Sequence, residues 1–308
     1  MLGWLLLVAA AVLLVGGAEL FVENAAGAAR RLGVTVIAVG VLLAGAEPEE
    51  LLTAVIAAVQ DRPGLAVGDA VGANVTMLTA CLGLAALVRP LTLGRRVRQY
   101  AALSAVAGVL AVAVLLDGTV SRTEGALLVL AYAGLVGLVW WREKEPPALG
   151  ELAEVAEEQP VARAPATALV LALLGVAVML VGGDLAVRGA VRVVDSLGST
   201  DSAVGLTVLA LATTAEMFAL VLAAARHAVP EIAVAGVVGS AAYNATATLG
   251  AAAVARPLLA EGVLAAAVTA AALPLGILLL ARTARLGRIA GAGLCAGYLG
   301  YVGVVLSG

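Results

Sequence analysis

The sequence predicts an all-α integral membrane protein of about ten transmembrane helices, arranged as two inverted-topology repeats of five helices each. Three observations predict this fold: the composition, the length of the apolar stretches and a duplicated set of motifs. Of the 308 residues, 63% are hydrophobic and 13% are charged, whereas a soluble domain is about half apolar and about one quarter charged. The apolar stretches are about 20 residues long, as a membrane-spanning helix requires, and they lack the strand alternation of a membrane barrel.

Charged residues and Pro or Gly breaks divide the chain into ten predicted spans. The spans are residues 2–20, 32–59, 65–88, 99–116, 123–141, 166–187, 202–225, 230–254, 259–281 and 288–307. The N-terminal apolar run lacks a basic leading region and a small-residue cleavage site, so we interpret it as the first span rather than as a signal peptide.

One long polar segment separates the two halves of the chain. Residues 142–165 are rich in glutamate and proline, a composition typical of a partly disordered linker. The predicted organisation is therefore a first five-helix repeat at 1–141, an acidic linker at 142–165 and a second five-helix repeat at 166–308.

The two halves share motifs at a constant separation. Arg89-Pro90-Leu91 recurs as Arg256-Pro257-Leu258, 167 residues later, and the same offset carries Glu49 onto Glu216. Chance similarity between helices rich in Ala, Val and Leu explains any one such match. It does not explain one register that holds from Pro48 to Pro90, so we predict a duplication.

Basic residues are distributed unevenly between the predicted loops. Alternate loops, beginning with the first, hold 13 of the 18 basic residues, and the positive-inside rule places these loops in the cytoplasm. Both chain termini then lie outside, and the central linker lies in the cytoplasm. Because each half has five spans, an odd number, the two halves insert in opposite senses, which is inverted-repeat topology. The single lysine and the short loops favour a prokaryotic inner-membrane protein.

Two glutamates lie inside long apolar spans, one in each half. Glu49 is about 17 residues into the second span and Glu216 about 14 residues into the seventh, so both fall near the middle of the bilayer. A carboxylate in hydrocarbon costs about 2.5–3.5 kcal/mol on insertion scales and usually marks a functional site. No basic residue lies in either span. We therefore predict an ion site at the interface of the two repeats, with a purely structural role as the alternative.

Further carboxylates surround Glu49 in the second span. Gly45 and Pro48 loosen the helix and free backbone carbonyls. In a regular helix Glu47 and Glu50 share a face, while Glu49 points about 160–200° away from Glu47. All three carboxylates can line one site only if the helix is distorted. The predicted site includes Glu47, and the sequence does not decide whether Glu50 joins it. The alternative for each of the two side chains is to face an aqueous vestibule or to pair with an arginine.

Oxygen-bearing side chains accompany the glutamates in the second half. Thr213 and Thr214 precede Glu216, and hydroxyl oxygens together with freed carbonyls suit a hard cation. The alternative for both threonines is a hydrogen bond to a backbone carbonyl one turn back. Ser240 and Asn244, in the eighth span, are four residues apart and share one helix face.

The third span carries Asp69 and Asn74 among closely spaced glycines. The glycines allow close helix approach, and some of the polar groups are expected to face the cavity because polar groups need partners in the membrane. The predicted cation ligands are Glu47, Glu49, Asn74, Thr213, Thr214, Glu216, Ser240 and Asn244.

The sequence gives no support for an enzyme. Cys81 and Cys295 lie in apolar segments without metal-ligand spacing, and the lone histidine, His227, falls in a predicted cytoplasmic loop. The arginines of the loops follow the positive-inside pattern and give no reason to expect nucleic acid. The expected partners are inorganic cations and the lipid bilayer, with no organic cofactor and with the oligomeric state open.

At these residues the chain resembles the calcium:cation antiporter superfamily, the sodium/calcium and cation/proton exchangers. That family has two inverted repeats, each with a G-T-S-L-P-E-type motif on one helix and a G-N-x-x-G-S-N-type motif on the next. Pro48-Glu49 matches the end of the first motif, and Ala212-Thr213-Thr214-Ala215-Glu216 matches its second-repeat form. The following helix is matched by residues 68–74 in the first repeat and by Gly239-Ser240 with Asn244 in the second.

The departures from the family pattern lie in the first repeat. Gly45-Ala46 stands where the family has a Thr-Ser pair, Ala73 replaces a serine, and Met77 stands where a late Asn or Asp is usual. The resemblance implies a sodium/calcium exchanger-like fold with its site between the second, third, seventh and eighth helices.

The resemblance also implies a secondary antiporter that exchanges a divalent cation, with Ca²⁺ as the expected ion, for Na⁺ or H⁺ by alternating access. The alternatives are a transporter of another cation with a degenerate site, and a non-transporting membrane scaffold derived from an exchanger.

Overall fold

The computed structural model describes residues 1–32, 47–143, 164–226, 230–283 and 285–307, and these residues are almost entirely helical. The helices of the first half are α1 (Leu2–Leu32), α2 (Pro48–Val59), α3 (Pro63–Val88), α4 (Arg95–Leu115) and α5 (Arg122–Glu143). Those of the second half are α6 (Pro165–Leu197), α7a (Asp201–Thr213), α7b (Ala215–Arg226), α8 (230–255), α9 (Leu264–Leu280) and α10 (Arg288–Ser307).

The helices have the dimensions of membrane spans. Six of those in the described residues are long and apolar enough to cross a bilayer, and α7a with α7b, bent by 45° at their junction, makes a seventh. The first part of the predicted second span, residues 33–46, and most of the predicted linker lie outside the described residues. The predicted all-α integral membrane class is confirmed.

The equivalent first helices of the two halves run antiparallel. Gly3 of α1 packs beside Gly189 of α6, and Gly17 of α1 packs beside Gly175 of α6. Because α1 and α6 occupy the same place in their respective halves, their antiparallel packing shows that the halves have opposite orientations. The predicted inverted-repeat topology is confirmed.

Helix boundaries repeat with the register that the sequence motifs predict. The helix Pro48–Val59 corresponds to Ala215–Arg226. Within α3 and α8 the π-helical turns Met77–Cys81 and Asn244–Thr248 lie at equivalent positions. Such turns widen a helix locally and frequently mark functional sites.

Four two-residue strands join the halves at their edges. They are β1 (Leu91–Thr92), β2 (Thr119–Val120), β3 (Leu258–Leu259) and β4 (Arg285–Leu286). β1 pairs antiparallel with β4, and β2 pairs antiparallel with β3. In each pair, the segment after the third span of one half meets the segment before the last span of the other half. The two pairings are therefore copies of one another.

Two helices continue well beyond their predicted ends. α1 reaches Leu32 rather than residue 20, and α6 reaches Leu197 rather than residue 187. The extensions contain alanine and arginine residues, which are good helix formers, so the helices continue after they leave the apolar stretch. α6 ends where Gly198 adopts a left-handed conformation, with φ of 61°, as is usual at helix C-termini.

The close approach of α3 and α7a forms the centre of the molecule. All residues from Leu65 to Thr76 are buried. A Cβ atom on Gly72 would lie 2.4 Å from the carbonyl oxygen of Leu206 in α7a. Glycine at this position therefore lets the two backbones touch, as predicted for the glycines of the third span.

We predict that Gly72→Ala lowers the free energy of unfolding by about 1–3 kcal/mol or more, because the new methyl group overlaps a backbone carbonyl that cannot move aside. Gly134→Ala is the matched control, since nothing lies within 4 Å of the position of its added Cβ atom. Thermal unfolding in detergent measures both variants. Equal melting temperatures for the two variants would contradict the close packing of α3 on α7a.

Candidate functional site

Both predicted glutamates lie in the first turn of a helix that begins inside the protein. Glu49 follows Pro48 at the start of α2, and Glu216 follows Ala215 at the start of α7b. The first N–H groups of a helix have no partner within the helix, and its N-terminus carries partial positive charge. The two helix starts therefore provide a favourable place for a buried carboxylate in each half.

The start of α2 places three carboxylates together. Glu47, Glu49 and Glu50 are each at most 1% exposed. Glu47 precedes the helix with φ of −152° and ψ of 74°, so the distortion required for all three to share one site is present. The Glu47 carboxyl lies close to that of Glu50. Glu49 lies within electrostatic range of Glu47 and of Glu216.

Asp69 of α3 is a fourth carboxylate in this cluster from the first half. It is fully buried, and its Oδ1 accepts a hydrogen bond of 2.9 Å from the Thr213 hydroxyl. Glu49 and Glu50 are both within electrostatic range of Asp69. The sequence showed Asp69 as an acidic residue in an apolar span, but its position beside Thr213 follows only from the packing of α3 on α7a.

The hydroxyl groups of the predicted site bond to backbone one turn back. The Thr213 hydroxyl has a single hydrogen, and the carbonyl oxygens of Leu209 (3.3 Å) and Ala210 (3.2 Å) compete for it with Asp69 Oδ1 (2.9 Å). Thr214 donates to Ala210 at 2.7 Å, and Ser240 donates to Gly236 at 3.2 Å.

Contacts to backbone carbonyls one turn back, considered above as the alternative role of Thr213 and Thr214, are therefore observed. They do not exclude the threonines as ligands, because a hydroxyl that donates its hydrogen backwards keeps its lone pairs as acceptors. The Ser240 side chain is also within hydrogen-bonding reach of Glu47.

The two predicted asparagines have different surroundings. The Asn244 amide nitrogen donates to Glu47 Oε2 at 3.3 Å, and its Oδ1 accepts from Thr248 at 3.0 Å. The Asn74 amide nitrogen donates to the carbonyl oxygen of Ala241 at 3.0 Å, while its Oδ1 is buried without a partner in the described chain. Asn74 also lines a small pocket with Ser104, between α3, α4, α8 and α9.

Several buried oxygen atoms of the cluster have no hydrogen-bond partner among the described residues. They are Glu47 Oε1, Glu49 Oε2, both carboxylate oxygens of Glu50, and Asp69 Oδ2. Nearly all buried polar groups in native proteins are hydrogen bonded, so this concentration of unpartnered acceptors is typical of a site that binds a cation.

Among the described residues, no identified ion pair neutralises these side chains. The ion pairs identified among the described residues lie at partly exposed positions, as in Arg62–Asp201 (3.5 Å) and Arg256–Asp61 (2.7 Å). None of them includes Glu47, Glu49, Glu50 or Asp69. Within the described ranges, no three Asp, Glu, His or Cys side chains converge on one point. A cation bound here would therefore also draw on the hydroxyl, amide and carbonyl oxygens.

The structure brings most of the predicted ligands together. Six of the predicted ligands are hydrogen bonded to a member of the carboxylate cluster or lie within electrostatic range of one. They are Glu47, Glu49, Thr213, Glu216, Ser240 and Asn244. Asn74 in α3 and Thr214 at the break between α7a and α7b are also buried, but their side chains donate to backbone carbonyls. His227 and the pair Gly45-Ala46 lie outside the described residues. The ligands predicted from the sequence did not include Asp69, and the role of Glu50 was undecided. The structure places both carboxylates within the cluster.

Comparison with known proteins identifies similar chains over nearly the whole length. The family model described as sodium/calcium exchanger protein matches residues 2–141 and 167–307. The putative antiporter CaxA of Alkalimonas amylolytica is 28% identical over 300 residues, which cover 94% of each chain. The inner membrane protein YrbG of Escherichia coli K12 is 32% identical over 232 residues, which cover 73% of this chain and 69% of YrbG.

The fold is similar to that of a solved exchanger. The sodium/calcium exchanger from Methanococcus jannaschii superposes with a TM-score of 0.64 at 24% identity, and the match covers 98% of each chain. At this identity the likeness concerns the fold, and it agrees with the inverted five-helix repeats described above.

We predict that Thr213 and Asp69 are energetically coupled. Replacing Thr213 by Val leaves a buried carboxylate without its donor, which costs about 1–3 kcal/mol. In a double-mutant cycle of Thr213→Val with Asp69→Ala, unfolding measurements should show coupling of about 1 kcal/mol or more. The control cycle uses Thr214→Val, whose hydroxyl bonds to Ala210, and should be additive. Equal coupling in the two cycles would show that the Thr213–Asp69 bond has no specific role.

Proposed function

This chain belongs to the sodium/calcium exchanger protein family, and from that premise we propose that it is a secondary active antiporter. It exchanges a divalent cation, Ca²⁺, for Na⁺ or H⁺ by alternating access. The family consists of transporters, so the chain is not an enzyme. The observation that supports antiport most directly is the burial of Glu49 and Glu216, one from each repeat, within one cluster of carboxylates.

The oxygen set of the cluster suits Ca²⁺, which takes six to eight oxygen ligands at about 2.3–2.6 Å in flexible geometry. Glu49 and Glu216 supply two negative charges. Further oxygens come from the side chains of Glu47, Asn74, Thr213, Thr214, Ser240 and Asn244 and from backbone carbonyls freed at the break between α7a and α7b.

The same cluster explains why transport takes the form of exchange. Carboxylates without basic partners are costly to keep charged in a low-dielectric interior. The carrier therefore reorients readily only when its carboxylates are neutralised, by the divalent cation in one direction and by counter-ions in the other. Both Na⁺ and H⁺ can neutralise a carboxylate. The name of the Methanococcus jannaschii exchanger supports Na⁺, and the additional carboxylates Glu47 and Glu50 are compatible with H⁺.

A second candidate is a transporter of a different cation. The sequence has Gly45-Ala46 in place of the family's Thr-Ser pair, while Glu47 and Glu50 add carboxylates in the same half. Fewer hydroxyls and more carboxylates change both the charge and the geometry offered to the ion. A non-transporting scaffold is the remaining alternative, and it predicts that no cation protects the solubilised protein against heating.

We expect purified protein in liposomes to take up Ca²⁺ when an outward Na⁺ gradient or an outward H⁺ gradient is imposed, and the effective gradient identifies the counter-ion. Glu49→Gln and Glu216→Gln should each reduce uptake to the level of empty liposomes, because each removes a charge that the divalent cation requires. The matched control is Glu124→Gln, a partly exposed glutamate at the start of α5 that bonds to Ser121, and it should transport normally.

Normal uptake by Glu49→Gln would remove Glu49 from the site. If wild-type protein takes up no Ca²⁺ under either gradient, the proposal for Ca²⁺ is wrong. Thermal unfolding with a panel of other cations then separates the two alternatives, since stabilisation by any of them indicates a different transported ion and stabilisation by none indicates a scaffold.

A further inference from the structure

Tyr243 lies beside the carboxylate cluster and belongs to neither the predicted ligand set nor the family motifs. It occupies α8 between Ser240 and Asn244, two of the predicted ligands. Its side chain is fully buried, and its hydroxyl has no hydrogen-bond partner in the part of the chain that the structure describes. Because a buried tyrosine hydroxyl usually finds a partner, this one requires an explanation.

The phenol lies near the carboxylates of the first half. Its hydroxyl lies within electrostatic range of Glu47, Glu49 and Glu50. The ring packs edge-to-face on Tyr132, with ring centroids 5.2 Å apart and an interplanar angle of 80°. This contact fixes the ring, so the position of the hydroxyl is set by packing on α5 and does not depend on a hydrogen bond.

A purely apolar role does not account for the hydroxyl. Phenylalanine would make the same ring contact without burying an unpartnered polar atom. The neighbouring Ser240 returns its hydrogen to a carbonyl of its own helix, but a tyrosine hydroxyl is too far from its own backbone to do so. In the first half the equivalent position is Thr76, which bonds to Tyr298 at 3.4 Å. The repeat therefore does not require a tyrosine at position 243.

The phenol and the carboxylates both leave oxygen atoms available to an ion. Among the described residues, no hydrogen bond joins the Tyr243 hydroxyl to a carboxylate oxygen, although Glu47, Glu49 and Glu50 all lie within its electrostatic range. Oxygens on opposite sides of a Ca²⁺ ion are separated by about 5 Å, because each lies about 2.3–2.6 Å from the metal. A cation between Tyr243 and the start of α2 would satisfy both sides.

We propose that the Tyr243 hydroxyl is a further ligand of the transported cation. It is a neutral oxygen donor opposite the carboxylates of Glu47, Glu49 and Glu50, and it compensates for the hydroxyls that Gly45-Ala46 do not supply. The lone pairs of the phenol oxygen would coordinate the cation. This role rests on the proposed function, because it requires the cluster to bind a cation.

Tyr243→Phe tests the ligand role because it removes one oxygen atom and keeps the ring against Tyr132. We expect the Ca²⁺ concentration for half-maximal uptake into liposomes to rise about tenfold or more, a loss typical of removing a group that supports a metal site. Tyr301→Phe is the matched control. Its hydroxyl donates to the carbonyl oxygen of Leu206 at 3.2 Å, so the control also loses a tyrosine hydrogen bond but should keep the wild-type Ca²⁺ dependence.

A second measurement does not depend on the folding of the variant. The chain has five tyrosines, and ¹⁹F NMR of 3-fluorotyrosine-labelled wild-type protein reports on all of them. Replacing each of the other four tyrosines by phenylalanine removes one signal at a time and so assigns it. The remaining signal then belongs to Tyr243. The Tyr243 signal should move on addition of Ca²⁺ and saturate with the same concentration dependence as uptake.

An unchanged half-maximal Ca²⁺ concentration in Tyr243→Phe would overturn the ligand role, as would a Tyr243 signal that Ca²⁺ leaves unmoved. Either result, obtained together with normal Ca²⁺ uptake by wild-type protein, contradicts the role of Tyr243 alone and leaves the antiporter proposal intact. Failure of wild-type protein to take up Ca²⁺ would instead contradict the proposed function, and the ligand role with it.

Discussion

The burial of several carboxylates without basic partners is the constraint on which the rest of the structure depends. Glu47, Glu49, Glu50 and Asp69 lie together in the interior, and no ion pair identified in the part of the chain that the structure describes includes them. The protein tolerates this arrangement because α2 and α7b begin in the interior and direct helix N-termini at the acidic residues. A bound cation would offset the remaining charge, so the same feature that limits stability provides the basis for ion binding.

The duplication supplies the framework of the site and later divergence supplies its chemistry. Equivalent helices begin at Pro48 and Ala215 and bring Glu49 and Glu216 together from opposite sides. Around this pair the halves differ. The first half adds the carboxylates of Glu47, Glu50 and Asp69, and the second half adds hydroxyl and amide groups. One side of the site therefore carries most of the charge, while the other supplies mainly neutral oxygens.

The sequence predicts the fold and the centre of the site because both depend on features that are local or periodic. Apolar length, loop charge and a constant offset indicate the spans and their inversion, and the cost of an intramembrane carboxylate singles out Glu49 and Glu216. The break at Thr214, the partnership of Asp69 with Thr213 and the position of Tyr243 depend on how distant helices pack. No pattern within one segment encodes such contacts, so the structure was needed to find them.

The central claim is that the carboxylate cluster binds a divalent cation. Equilibrium dialysis of the detergent-solubilised protein against radioactive Ca²⁺ tests this claim without requiring transport. The account predicts saturable binding by the wild-type chain and its loss in the Glu49→Gln/Glu216→Gln double variant, with both proteins folded by circular dichroism. Equal binding by the two proteins, or no saturable binding by the wild-type chain, would contradict it.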